Sequence, residues 1–224
     1  MRAWELQKKL AESVSAGGAD FLLLLEHPPT YTLGRRGGEA NMLLPRKSLE
    51  LLGATVVHTD RGGDITFHGP GQLVGYPILN LTRLGTGIGR YLRSLEEALI
   101  HTLGSYGVNA GRVEGYTGVW VSDEKIAAIG VRITARRITQ HGFALNVNTD
   151  LSYFGHIVPC GIRDRGVTAL DRILGRAIGP PDLVRPLTDA FGAVFGRDMV
   201  QISPNTLFRE QESTMESSEM REHA

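Results

Sequence analysis

The sequence predicts an α+β fold, a mixed, mainly antiparallel sheet with flanking helices, and three observations carry that prediction. Apolar residues recur at helical spacing in two separate stretches, Leu6, Leu10 and Val14 near the start and Ile88, Leu92, Leu95, Leu99 and Leu103 in the middle. Strand-turn-strand patterns stand among them, clearest where residues 118–121 and 125–133 flank the polar turn Ser122, Asp123 and Glu124. Glycine supplies 28 of the 224 residues, roughly one in eight against a usual ~7%, and the excess clusters between the periodic stretches. Nothing repeats at a fixed period, and helices mixed with hairpin units give the α+β class.

In chain order, a first helix carries Leu6 to Val14 and stops at Gly17 and Gly18. Residues 21–25, FLLLL, are short, wholly apolar and followed by His27, Pro28 and Pro29, which fits a buried strand; residues 31–33 resume it before the 34–38 loop. Residues 55–58 are β-branched and form the next strand. Residues 61–80, RGGDITFHGPGQLVGYPILN, read as strand, turn and strand lining a site, because Gly62, Gly63, Gly69 and Gly71 allow close backbone approach. Pro77 removes a donor and places that part of the strand at an edge or bulge. Residues 87–103 form the longest helix. Residues 138–147 are a further strand, with Gly142 breaking it where backbone meets ligand. A short helix over 150–154 precedes Pro159, which stops regular structure. A last helix begins after Pro180 and Pro181, Pro186 being tolerable only in the first turn, and residues 199–202 add a final strand. The expected domain spans 1–212, and the polar segment 213–224 is expected to be disordered.

Lys and Arg total 24, as do Asp and Glu, so no net positive field attracts nucleic acid without sequence preference. The first ten residues lack the apolar core of a signal peptide, and the run at 21–25 is too short to span a bilayer. The expectation is a soluble, cytoplasmic protein with no nucleic acid and no membrane as partner. One cysteine, Cys160, leaves neither an intramolecular disulfide nor a cysteine-based zinc framework.

Cys160 lies in IVPCGI at 157–162, an irregular segment able to hold a thiol at a pocket mouth, with the Gly161 peptide N–H open to a developing oxyanion. The alternative is a small buried hydrophobe. A thiol of ordinary pKa, about 8.5, needs a nearby cation or base to act as a nucleophile. Lys125, His68 and His141 are the candidates; a solvated turn lysine and hydrogen-bonded structural histidines are the alternatives. Small residues after Lys125, namely Ala127, Ala128 and Gly130, leave space for a slender substrate. Arg61 either holds an anionic group or pairs with a carboxylate. His156 and Cys160 would share a helix face, but Pro159 between them removes that helix, so no metal is expected. There is no Walker-type loop and no GxGxxG after a strand.

Four stretches in order, RGGDITFHGPGQLVGYPILNL at 61–81, EKIAAIGVRI at 124–133, HGFALNVNTDL at 141–151 and IVPCGI at 157–162, resemble the lipoyl(octanoyl) transferases of lipoate biosynthesis, collinearly from about Leu24 to Phe195. The resemblance implies a fold similar to biotin and lipoate protein ligase catalytic domains, and transfer of octanoyl from acyl carrier protein to a lysine of lipoyl domains. It implies Cys160 as acyl-thioester nucleophile and Lys125 as its proton-relaying partner. Substrate contacts fall by the same analogy on Arg61, Gly62, Gly63, Asp64, Ile65, Thr66, Phe67 and His68, on Ala128, Ile129 and Gly130, and on Gly142, Phe143 and Ala144. His68 then becomes a substrate-lining residue first. The implied partners are octanoyl-acyl carrier protein, the lipoyl domains of 2-oxoacid dehydrogenase complexes and the glycine cleavage H protein. The substrate rides on phosphopantetheine, so neither ATP nor metal nor any other cofactor is expected. Two departures stand out: Phe67 where tyrosine is common in the family, and Ala169 in VTAL for a frequent serine. An ATP-dependent lipoate or biotin-type ligase and a non-catalytic module binding acyl carrier or lipoyl domains are the alternative readings.

Overall fold

The computed structural model describes residues 2–162 and 165–203; the segment 213–224 lies outside them. Helix α1 (Arg2–Ser15) leads into β1 (Phe21–Leu25), β2 (Thr30–Leu33), α2 (Arg46–Leu51), β3 (Thr55–His58), β4 (Ile65–His68) and β5 (Gln72–Ile78). Helix α3 (Ile88–Gly104) follows, then β6 (Gly111–Val113), β7 (Tyr116–Val121), β8 (Glu124–Ile133) and β9 (Thr139–Asn146). Two 3-10 turns, Leu151–His156 and Pro159–Gly161, precede β10 (Gly166–Val167), α4 (Leu170–Leu174) and α5 (Pro180–Phe195).

The strands form two sheets where the sequence suggested one. A seven-stranded sheet runs β1-β5-β9-β8-β7-β6, antiparallel throughout, with β10 added parallel to β8. A three-stranded sheet, β3-β2-β4, stands apart from it. The glycine-rich connection between His68 and Gln72 therefore carries the chain from one sheet to the other, and residues 31–33 belong to the small sheet and do not resume β1.

Strand β5 alternates across the large sheet. Leu73 joins the main core with Leu95 and Leu99 of α3 and Leu187 and Phe191 of α5, while Val74, Tyr76 and Ile78 face Leu10 and Val14 of α1. Being buried on both faces, β5 reads as one apolar run. Pro77 sits at neither an edge nor a bulge: β5 is flanked by β1 and β9, and its ladder with β9 lapses after Gly75↔Phe143 and resumes in unchanged register at Asn80↔Ile138. The Thr139 hydroxyl bridges the lapse, donating to Pro77 O at 2.7 Å and accepting from Leu79 N at 2.9 Å. At the same point His141 adopts φ 56°, and its N–H turns to Gln7 Oε1 on α1 at 2.6 Å. Gly142 is required by this close approach, since a Cβ there would strike Gly75 O and Pro77 Cδ.

Two expectations near the C-terminus are corrected. Pro186 lies in the middle of α5 and not in its first turn. It is tolerated because the carbonyl it cannot serve, Asp182 O, accepts the Tyr106 hydroxyl at 2.7 Å instead. Residues 199–202 form no strand; Val200 is 82% exposed and pairs with no strand among the described residues. Ala169 is the N-cap of α4 and offers no side-chain acceptor there, where a serine would. No helix among the described residues is long and apolar enough to cross a membrane.

Candidate active site

A cavity of about 400 Å³ separates the small sheet from the large one, within the size range of small-molecule sites. Its small-sheet wall carries Thr30, Thr32, Thr55, Val57, Thr66 and His68 at alternate strand positions, and its large-sheet wall carries Ala128, Gly130, Gly142 and Ala144. These four small residues are cross-strand partners, Ala128↔Ala144 and Gly130↔Gly142. At Gly130 the reason for glycine is packing: a Cβ would sit 3.0 Å from Gly62 O and 3.2 Å from Arg61 Cδ, where the 61–64 loop crosses β8.

Of the expected substrate contacts, Arg61 to Asp64, Thr66, His68, Ala128 to Gly130 and Gly142 to Ala144 all line this cavity. Ile65 and Phe67 do not. The two-residue period of β4 turns them to the opposite face, where they are 0% and 1% exposed among Tyr31, Leu33 and Phe154. Phe67 stacks on Tyr153 with ring centroids 4.5 Å apart. Ala127, expected beside the substrate, packs into the main core.

Cys160 is delivered by a strap laid along 41–43. Leu43 N donates to His156 O at 2.9 Å, Val158 N to Asn41 O at 2.8 Å, and Asn41 Nδ2 to Asp64 Oδ2 at 2.5 Å. Tyr31 anchors the strap's start, its hydroxyl lying 2.8 Å from Tyr153 O and 2.9 Å from His156 Nδ1. Cys160 itself is half-buried with φ 56° and ψ 16°, a left-handed conformation that costs a side-chain-bearing residue about 1–2 kcal/mol. The Gly161 N–H is not open to an oxyanion as expected: it donates to Val158 O at 3.1 Å to close the turn. Among the described residues no group of three His, Cys, Asp or Glu side chains could hold a metal.

Lys125 comes to the cavity it shares with Cys160 through a bulge the sequence did not reveal. Val119 pairs with Ala127, but Trp120 pairs with Lys125, so Ile126 is the extra residue in β8. Ile126 and Ala127 consequently both face the main core, and Lys125 joins Ala128 on the other face. Without the bulge Lys125 would share the core face with Ala127. Lys125 is 7% exposed and its ammonium lies over the Trp120 indole, 4.8 Å from the ring centroid. Lys125 and Cys160 line one small cavity of about 20 Å³, together with Thr66, Gln72, Ala128, Ala144 and Asn146. That gap is about the size of one water molecule.

A polar chain orders the wall beside this pair. Arg61 donates from Nη2 to Thr32 O at 2.6 Å and to Thr32 Oγ1 at 2.8 Å, and from Nη1 to Gly62 O at 3.0 Å. Gln72 Nε2 donates to Asn146 Oδ1 at 2.9 Å and Phe67 O at 3.2 Å, so its oxygen accepts from His68 Nδ1 at 2.8 Å. That network assigns the proton to Nδ1 and leaves Nε2 to accept from Thr32 Oγ1 at 3.3 Å. Gln72, Asn146, Trp120 and the cavity-facing threonines were not singled out from sequence. Their signals were present: isolated polar residues in apolar runs, and threonine at two-residue spacing.

Burial drives the His68 pKa down to about 3, against the Gln72 hydrogen bond, with the Arg61 charge adding to the depression. His68 is neutral here and no proton acceptor at physiological pH. His141 is also held low by burial, against its 2.7 Å contact with Asp60 Oδ1. Burial lowers His27 too. These depressed pKa values fix the sign of the acid response. Stability is fully present above the unfolded histidine pKa of about 6.5 and is lost as pH falls towards 3, because the unfolded chain takes protons the native state refuses. Thermal unfolding against pH should show up to about 1.4 kcal/mol lost per pH unit per histidine in that window, and His68→Gln should flatten the slope by about one proton. An unchanged slope in that variant would contradict the assignment.

The chain matches the family model of the lipoyl protein ligase A/B catalytic domain over residues 1–192. It is 53% identical over 196 residues to an octanoyltransferase of Rubrobacter xylanophilus, covering 87% of this chain and 88% of that one. It is 57% identical over 162 residues to an octanoyltransferase of Bacteroides fragilis, covering 70% and 73%. Its fold is similar to that of a lipoate-protein ligase A bound with ATP, with a TM-score of 0.72 at 18% identity over 92% of this chain and 86% of that one. It is also similar to a bipartite lipoate protein ligase of Thermoplasma acidophilum, with a TM-score of 0.70 at 18% identity over 92% and 86%. Matched by the family model over most of its length and about half identical to octanoyltransferases, the chain belongs to the lipoyl protein ligase A/B catalytic domain family, as one of its octanoyltransferases.

Proposed function

We propose that this enzyme takes octanoyl from the phosphopantetheine thioester of acyl carrier protein and passes it to a lysine of a lipoyl domain through a thioester on Cys160, with Lys125 moving the protons. One observation carries the reading: Cys160 stands at the junction of the two cavities, facing Lys125 in the small one and the small-residue wall in the large one. The Lys125 ammonium lines the small cavity with it and the Arg61 guanidinium the large one. Burial lowers the Arg61 pKa, and the nearby Cys160 and Asp64 act against it.

The Cys160 thiolate attacks the donor carbonyl, forming a C–S bond to Sγ. The bond to the carrier sulfur breaks and the carrier thiol leaves with a proton from Lys125. The acceptor amine then attacks the acyl-enzyme, a C–N bond forms, Cys160 returns as thiolate and Lys125 recovers a proton from the amine. Electrons and protons balance without a nucleotide, because the donor is already an activated thioester. Lipoyl domains, including those of 2-oxoacid dehydrogenase complexes, and the glycine cleavage H protein are the acceptor class. In support, the Thermoplasma acidophilum neighbour is described together with its E2 lipoyl domain.

Mixing the enzyme with octanoyl-acyl carrier protein should add one octanoyl group, detected by intact mass and located on the Cys160 peptide. No adduct, or an equal adduct on Cys160→Ala, would overturn the scheme. Octanoate and ATP releasing pyrophosphate, with Cys160→Ser still active, would establish the ligase reading in its place.

A further inference from the structure

The large cavity has two ends, and they are chemically different. Thr66, Ala128 and Ala144 line both cavities together with Cys160, which fixes the cysteine at one end. From Ala144 the wall runs back along β9 through Gly142 to His141, three residues and about 10 Å of strand. There α1 meets it: Gln7 accepts the His141 N–H, and the Trp4 ring centroid lies 6.3 Å from that of His141.

Three α1 residues line this far end, Ala3, Trp4 and Gln7. Ala3 is small, and the Gln7 oxygen is committed to the His141 N–H. Trp4 alone presents a large apolar surface. Its ring is backed by the Lys8 ammonium, 4.5 Å from the indole centroid. An octanoyl chain in extended form measures about 9 Å from carbonyl carbon to terminal methyl, taking seven C–C bonds of ~1.5 Å. A chain of that length attached to Cys160 spans the wall and arrives at Trp4.

We propose that Trp4 determines acyl chain length, its indole closing the end of the cavity opposite Cys160 so that an eight-carbon chain fits and a twelve-carbon chain does not. The inference rests on the reading that the acyl group is carried on Cys160. The Trp4 indole N–H is buried without a hydrogen-bond partner, so truncating this side chain strands no acceptor. The substitution therefore opens space at that end without breaking a hydrogen bond of the indole N–H.

The experiment compares wild type, Trp4→Ala and Trp4→Phe, each mixed with octanoyl-, decanoyl- and dodecanoyl-acyl carrier protein, and reads the rate of Cys160 loading by intact mass. The dodecanoyl-to-octanoyl ratio should rise about tenfold or more in Trp4→Ala, since a few methylenes in an apolar pocket discriminate on that scale. Trp4→Phe should lie between, and it carries the test if Trp4→Ala fails to fold. Variants that load octanoyl but keep the wild-type ratio would overturn the role of Trp4 and leave the Cys160 reading intact. A wild-type enzyme that loads no chain at all would overturn both.

Discussion

Cys160→Ala should abolish octanoyl transfer, by about 10⁴-fold or more, and Lys125→Met should cost about 10²- to 10⁴-fold, the scale of a lost nucleophile and a lost proton carrier. Methionine keeps the length and apolar stem of the lysine, and no ion pair is broken, because among the described residues Lys125 has none. Its charge rests on the Trp120 face, which is 2% exposed and holds the ammonium on the cavity side. Lys125→Arg separates two contributions. Arginine keeps the cation beside the thiol but does not release a proton near neutral pH, so alkylation of Cys160 should persist while transfer fails. The double variant should be no slower than Cys160→Ala, because residues acting as a unit are not additive. Single-turnover assays decide it. Transfer by Lys125→Met within about threefold of wild type would remove Lys125 from the chemistry.

What was legible in the sequence was whatever one segment determines alone. Helices α1 and α3 and strands β1 and β3 follow from local periodicity and β-branching. The glycine-rich stretch announced close backbone approach, and within it Gly62 and Gly71 do meet neighbouring backbone, at Val131 O and Asn148 O. What was not legible depends on partners distant in sequence. The division into two sheets turns on β4 pairing with β2 while β5 pairs with β1 and β9. Pro186 reads as a breaker until Tyr106, far along the chain, takes the carbonyl it frees. The face on which Lys125 stands depends on the extra residue Ile126, which has no composition of its own to mark it. Trp4 joins the cavity only because α1 packs against β9, through a glutamine whose partner is a backbone N–H where the β5–β9 ladder lapses. The departures behave likewise: Phe67 lacks the hydroxyl common at its position, and the structure places that ring in a core of aromatic neighbours, away from the cavity.

Arg61→Met should destabilise the fold by about 3–5 kcal/mol, measured by chemical denaturation at neutral pH. The guanidinium is 8% exposed and is satisfied by oxygens of Thr32 and Gly62. Removing it leaves two carbonyls without that donor in the interior, each worth about 1–3 kcal/mol. The loops around it are built to its shape. Gly34 would place a Cβ 2.7 Å from Nη1, and Arg35 N and Arg36 N donate to Arg61 O and Gly63 O, so the 34–36 and 61–63 segments close over the side chain together. Arg61→Lys should fail to rescue, since one ammonium cannot reproduce the fork that meets both Thr32 oxygens. The substitution also alters titration. Arg61 contributes to the low His68 pKa, so its loss should raise that pKa from about 3 and narrow the range over which acid removes stability. A variant with stability within about 1 kcal/mol of wild type and an unaltered acid slope would show that the cavity wall holds without its guanidinium, and that the 61–64 loop owes its position to β8 and β2 alone.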